Sequence, residues 1–396
     1  MDEGRTAEVV QVVSDPIVTI FDDRLLEPRA QTDYRFGMKL LGALLVVACA
    51  AGCPNQAKND SMQFLATGNK AAGAKQFEVA VQEYQKAVDK YSENHLAWYG
   101  MGGAQAQRGE WDKAADAFAK AVDNGAQQPM YQMWYGIALY EKAVKNARDD
   151  QAKKENKKPE EIKPDLTAVN FDKSQQHLAE SVKLNPDMWR AHYYLGRIYR
   201  EQDKPKDAAT EFSKAIAADP RQQGPYVALG ELYRKWDYTD EAIKVTSQGV
   251  QNVPGANEVS DIWYVLGMGY DDKNQWDKAI EAFDKSIESK RDNHKAKFQR
   301  GQAYFKKGDF THAKRDLEEF SKSGGASLEF AKQQAQKMLM DIAAKSAGTD
   351  KPPGAGPQSP EELVKGAKGA KAGGKGADKG GPKKPSPEDV VKKGKK

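Results

Sequence analysis

Cysteine is almost missing from this chain of 396 residues: it has two, Cys49 and Cys53. A pair so close together excludes a disulfide-stapled scaffold and a cysteine-built zinc or iron–sulfur centre. Histidine is nearly as sparse. His95, His177, His192, His294 and His312 are scattered, with no recurring acid or thiol beside them. No H-E-x-x-H, G-x-S-x-G or phosphate-loop string occurs, so the nucleophile, base or metal set of an enzyme is not legible. The expectation is a non-enzyme without cofactor or metal. Charge of one sign is missing too: 61 Lys and Arg stand against 57 Asp and Glu. A net +4 makes nucleic acid an unlikely partner for the molecule as a whole. A bilayer needs about 20 apolar residues, and the longest apolar run, Leu40 to Ala51, has twelve.

What is present is unevenly spread. Residues 1–37 carry eight acids against four arginines and show no helical or strand period. They read as disordered, or as an extension ahead of a true start at Met38. Met38-Lys39 then leads into LLGALLVVACAAGC. A short basic start, an apolar stretch of about 18 Å as a helix and a small-residue exit form a signal h-region. Residues 38–53 resemble a bacterial lipoprotein signal, in which a peptidase cuts ahead of a cysteine whose thiol has received a diacylglycerol. Ala51-Gly52-Cys53 matches that box, and Ala50 departs from the usual Leu. The resemblance implies lipidation (palmitate) at Cys53 and a chain on the periplasmic side of the envelope. Pro54 in place of Asp after the cysteine favours the outer membrane. Cleavage before Cys49, a short buried or membrane-lying helix, and an uncleaved anchor stay open. Residues 54–60 read as a tether.

A period of thirty-four organises the middle of the chain. Glycines at 68, 102, 136, 196, 230, 267 and 301 follow aromatic or aliphatic clusters, and the spacings 68→102, 196→230 and 267→301 are each 34. Twelve residues after most of them comes a small residue, and four later a Phe, Tyr or Leu. Trp98, Gly102, Ala114 and Phe118 show the pattern, as do Leu195, Gly196, Tyr199, Ala208 and Phe212, or Trp263, Gly267, Tyr270, Ala279 and Phe283. It resembles the tetratricopeptide repeat, a helix–turn–helix unit in which glycine and alanine mark close helix approach. That resemblance implies an all-α, right-handed superhelical solenoid of seven helix pairs over 61–327. Asp in turns such as GEWDKA (109–114) and KNQWDKA (273–279) reads as a helix cap, and Pro as a helix start.

The third repeat carries an insertion at about 141–166, with Pro159 and Pro164 stopping regular structure. It reads as a longer first helix that loops back, serving as a partner edge or a solvated spacer. Residues 328–345, with Leu328, Ala331, Ala335, Met338, Leu339 and Ile342, read as a capping helix. The tail 351–396 has 12 Lys, 10 Gly, 7 Pro and no aromatic residue, so it reads as disordered. It is either a solubilising tail or a contact for an anionic cell-wall polymer, lipid or lipopolysaccharide.

Counting each repeat glycine as position 8, the family places positions 2, 5, 9, 12 and 13 of the first helix on the concave face. This nominates Tyr99, Met133, Ile137 and Tyr140, then Arg190, Tyr193, Arg197, Arg200, Arg234 and Lys235, then Tyr264, Met268, Phe298, Gln302 and Phe305. The implied site is an aromatic, centrally basic channel for an acidic peptide or protein segment. Position 9 holds Gly103, Arg197, Glu231 and Met268, not the Asn of a chaperone-tail carboxylate clamp. The expectation is a lipid-anchored adaptor resembling the tetratricopeptide lipoproteins that serve pilus secretins as pilotins, or motility and export machines. A wall-binding structural lipoprotein and a cytosolic adaptor are the alternatives.

Overall fold

Five of the seven repeat glycines sit opposite a large side chain sixteen residues on, and that contact sets how two helices pair; Gly136 meets Leu178 across the insertion instead, and Gly230 meets Thr246. The computed structural model describes residues 56–255, 257–322 and 328–349. The acidic start, the signal-like run with Cys53 and the basic tail lie outside the described residues. Among those described, every regular element is helical: α1 (Gln56–Gly73), α2 (Phe77–Lys90), α3 (His95–Gln107), α4 (Trp111–Asn124), α5 (Pro129–Glu155), α6 (Asp172–Leu184), α7 (Trp189–Glu201) and α8 (Pro205–Ala218). There follow α9 (Gln223–Lys235), α10 (Thr239–Asn252), α11 (Ser260–Asp272), α12 (Trp276–Ser289), α13 (His294–Lys307), α14 (Phe310–Ser321) and α15 (Glu329–Thr349). The chain divides into two compact units at residues 228 and 229, inside α9.

In the first unit α1 packs on α2, α3 on α4, α5 on α6 and α7 on α8; in the second, α11 packs on α12, α13 on α14 and α14 on α15. A Cβ placed on Gly196 would lie 2.6 Å from the ring of Phe212, and one on Gly68 2.6 Å from Tyr84. Only glycine lets the two helices close to that distance.

The turns repeat as faithfully as the helices. Seven residues past every repeat glycine but Gly136 the backbone turns left-handed, at Lys75, Asp203, Asp237 and Asn274 and at Gly109 and Gly308. Two repeats thus use glycine and four put a side chain into a conformation that glycine tolerates best. A polar interlock joins successive repeats. Ser61 Oγ donates to the Ala87 carbonyl (2.7 Å) and accepts from Asn94 Nδ2 (2.8 Å), while Asn94 Oδ1 caps α3 at the Ala97 amide. Ser260, Ser286 and Asn293 repeat this at the same spacings, with Asn293 capping α13.

Several expectations need adjusting. Residues 56–60 are not tether but the first turns of α1. Asp does not cap α4 or α12: their N-caps are Glu110 and Gln275, without a side-chain bond. Pro129 and Pro205 take first helical positions, whereas Pro186 lies in a turn. In the insertion α5 continues to Glu155, closes on Asn156 in a left-handed cap, and the chain returns through a single 3-10 turn at Pro159–Glu161. The returning segment is not merely solvated. Ile162 and Pro164 are buried, Gln151 accepts from the Asp165 amide (3.0 Å), and Phe171 stacks on Tyr140 at 5.0 Å. Leu328, Ala331, Ala335 and Ile342 of the α15 segment are buried with Phe298, Leu317 and Phe320.

Candidate functional site

The first helix of each repeat turns its glycine toward the second helix, and positions 2, 5, 9, 12 and 13 line a neighbouring face of the same helix. In the first unit, position 2 is Met62, Leu96, Met130 and Arg190, from α1, α3, α5 and α7 in turn. Met62 and Leu96 are 44% and 43% exposed, among the few large apolar side chains left in water. Asn94 Nδ2 lies 3.9 Å from Met62 Sδ, two residues from Leu96, and the Tyr99 hydroxyl donates to Met130 Sδ at 3.0 Å. Arg190 lies over the rings of Trp189 (4.5 Å) and Trp134 (5.8 Å).

Deeper along the same helices the nominated residues are mostly enclosed. Ile137 and Tyr140 are each 1% exposed, and Met133 and Tyr193 are buried as well. They are core rather than groove lining, because Phe171, Tyr194 and the α5–α7 packing cover them. Tyr99 is half-buried against Tyr131, and burial pushes its hydroxyl well above the usual phenol range. Arg197, with its side chain 12% exposed, lies among the rings of Tyr140 (4.7 Å), Tyr194 (4.9 Å) and Tyr193 (5.7 Å). Its Nη1 reaches Glu141 Oε1 at 3.4 Å, an oxygen that also accepts from the Tyr194 hydroxyl. The guanidinium is thus engaged inside the fold, by cation–π contact and an acid. Arg200 pairs with Glu201 at 2.9 Å.

In the second unit Arg234 makes a two-pronged bond to Asp272, at 2.6 and 3.1 Å. Lys235 is exposed, and Tyr264, Gln302 and Phe305 are half-buried. Phe305 packs on Phe310 beneath Lys345. Met268 and Phe298 are buried. The expected basic centre is therefore corrected to an alternation of sign. Asp261, Asp271 and Asp272 of α11 stand at positions 2, 12 and 13, between Arg234 of α9 and Lys295 and Lys306 of α13. Lys306 bonds Asp271. Burial pushes the Lys295 ammonium down, partly opposed by Asp261 and Glu231. Sequence reasoning missed these acids, although reading every position in register would have found them. It also missed Asn69, at position 9 of the first repeat, whose amide oxygen accepts from the Tyr84 hydroxyl.

Among the described residues no helix is long and apolar enough to cross a membrane, and no cluster of three or more His, Cys, Asp and Glu side chains is placed to hold a metal ion. Comparison with known proteins gives three kinds of match. The tetratricopeptide repeat model matches residues 65–129, 166–222 and 264–317. The general transcriptional corepressor trfA of Dictyostelium discoideum is 24% identical over 112 residues, 28% of this chain but only 8% of that protein. Among solved structures, PilF of Pseudomonas aeruginosa is 14% identical, with 62% of this chain and 97% of that one covered at a TM-score of 0.46. A tetratricopeptide repeat protein of Parabacteroides merdae is 11% identical, with 72% and 99% covered at 0.46. Likenesses of this size carry no information on partners. The matched segments and the paired helices show that residues 65–129, 166–222 and 264–317 carry tetratricopeptide repeats, a fold that generally serves as a protein–protein interaction scaffold.

Proposed function

We propose that this protein is a lipid-anchored adaptor that holds a protein segment on its repeat face during assembly of an envelope machine such as a pilus secretin, motility or export complex. The repeats supply the scaffold. The observation that carries the anchor is the sequence Ala50-Ala51-Gly52-Cys53 at the end of a twelve-residue apolar run, directly ahead of α1. A thiolate is the side chain that readily forms a thioether with a diacylglycerol, and small neighbours let a peptidase reach the backbone. Cys53 would then carry the lipid, most consistently in the outer membrane with the repeats toward the periplasm. The basic tail favours a second role beside it. Its 12 Lys against five acids suit an anionic cell-wall polymer or lipid headgroups.

The test is the intact mass and N-terminal chemistry of the protein isolated from its own host's membranes. A blocked, acylated Cys53 as first residue is expected. An unmodified chain starting at Met1 would remove the anchor and leave a cytosolic adaptor. Deleting 351–396 separates the second role: loss of sedimentation with peptidoglycan is expected only if the tail binds the wall.

A further inference from the structure

Charge is distributed unequally over the facing positions of the repeats. In the first three repeats these positions are Met62, Leu65, Asn69, Ala72 and Gly73, then Leu96, Tyr99, Gly103, Ala106 and Gln107, then Met130, Met133, Ile137, Tyr140 and Glu141. Glu141 is the one charge among them, and its carboxylate is taken by Arg197 and Tyr194. From the fourth repeat on, Arg190, Arg197, Arg200 and Glu201 begin a charged stretch.

The uncharged part is not all buried. Met62 and Leu96 stand 44% and 43% exposed at equivalent positions of adjacent repeats. Tyr99, one turn beyond Leu96, bonds the Met130 sulfur and so joins the third repeat to the row. Met62, Leu96, Tyr99 and Met130 therefore form an apolar strip with a cation, Arg190, next in line. Methionine suits such a place because its flexible thioether repacks around different partners. Neighbouring helices lie about 8–10 Å apart, and seven residues of an α-helix rise about 10.5 Å. An α-helix laid along the row would meet one repeat per heptad.

We propose that this strip takes the apolar face of an amphipathic helix of a partner protein, with large aliphatic residues one heptad apart against Met62, Leu96 and Met130 and an Asp or Glu one heptad further against Arg190. The charge order commits the ligand and its direction: apolar over the first three repeats, acidic toward the fourth. This rests on the adaptor reading and names the class of segment bound.

The probe is a synthetic amphipathic helix with Leu at every seventh residue over three heptads and Glu one heptad on, titrated against the full chain by fluorescence anisotropy. Saturable binding is expected. The double substitution Met62→Gln, Leu96→Gln should weaken it roughly tenfold or more, both residues being exposed enough for the fold to tolerate them. Val79→Gln, equally exposed but on α2, should change nothing. Arg190→Gln should weaken the Glu-ended peptide and not its Gln-ended twin. The proposal is overturned if the chain shows no saturable binding, if Val79→Gln acts like the double variant, or if Arg190→Gln affects both peptides alike. Self-association that the double variant abolishes would make the occupant a second copy. Binding seen only after residues 40–51 are deleted would make it the chain's own apolar run, and either result sinks the proposal. A natural partner still held by the double variant would keep the adaptor reading and remove this strip from it.

Discussion

Asp316, fully buried on α14, accepts from Arg300 Nε and Nη2 at 2.6 and 2.9 Å, and Arg300 Nη1 reaches Asp284 at 2.6 Å. Removing Asp316 would leave the guanidinium, 15% exposed, with one acid only. Asp316→Ala is expected to cost about 3–5 kcal/mol in urea unfolding, whereas breaking the solvent-exposed Lys285–Glu288 pair should leave the unfolding midpoint almost unchanged. Arg197 belongs with Asp316 rather than with a binding surface. Arg197→Glu should lower thermal stability before it alters any partner, because it sets a second acid beside Glu141 and empties the space among three tyrosines.

Glu211 supplies a pH dependence. Burial would raise its carboxyl, but bonds from His192 (2.6 Å) and Lys214 (2.7 Å) outweigh that and hold it below its ordinary value of 4.5. A lowered value in the fold means that the unfolded chain takes up the proton first. The stabilisation is then complete above the unfolded value and is lost as pH falls through the folded one. The Tm gap between the natural protein and Glu211→Gln should be widest near neutral pH and close in the acid range below about 4.

At the scale of elements, the left-handed residue after each first helix offers a stabilising change. Lys75 adopts φ 59° where Gly109 and Gly308 do the same work in other repeats. Lys75→Gly should raise stability by up to about 1 kcal/mol in denaturant titration, the relief of left-handed strain exceeding glycine's entropy loss. The opposite holds at the helix contacts. Gly196→Ala drives a methyl into Phe212 and should cost about 1–3 kcal/mol. The glycine-to-ring spacing was legible in the sequence because helix approach is a local matter of side-chain size. The caps were less so. Asp beside a turn suggested a cap for α4 and α12, yet the side-chain bonds fall to Asn94, Asn293 and Asp309. Which residue of a polar cluster caps depends on where the backbone enters the helix, and the preceding repeat's packing sets that.

For the molecule as a whole, the end of the array is the vulnerable place. α15 covers Phe298, Leu317 and Phe320, so ending the chain before residue 328 should expose them. Lower thermal stability and concentration-dependent light scattering are expected, and a soluble truncated monomer of unchanged Tm would show that α15 is dispensable.

The sequence by itself determined the all-helical class, the thirty-four-residue period and the place of the insertion, and it nominated Cys53 for the proposed anchor. Each follows from short-range spacing: glycine against ring, small residue against small residue, an apolar run ahead of a thiol. Only the tertiary structure decided which facing residues stay open. Periodicity tells which side of a helix a residue occupies, but not what the next repeat lays over it. Tyr140 and Arg197 point the way the repeat predicts and are closed over by Phe171, Tyr194 and Glu141. Met62 and Leu96, overlooked in the sequence, stand 44% and 43% exposed among the described residues. Burial is a property of neighbours far apart in the chain, and a single repeat does not contain it.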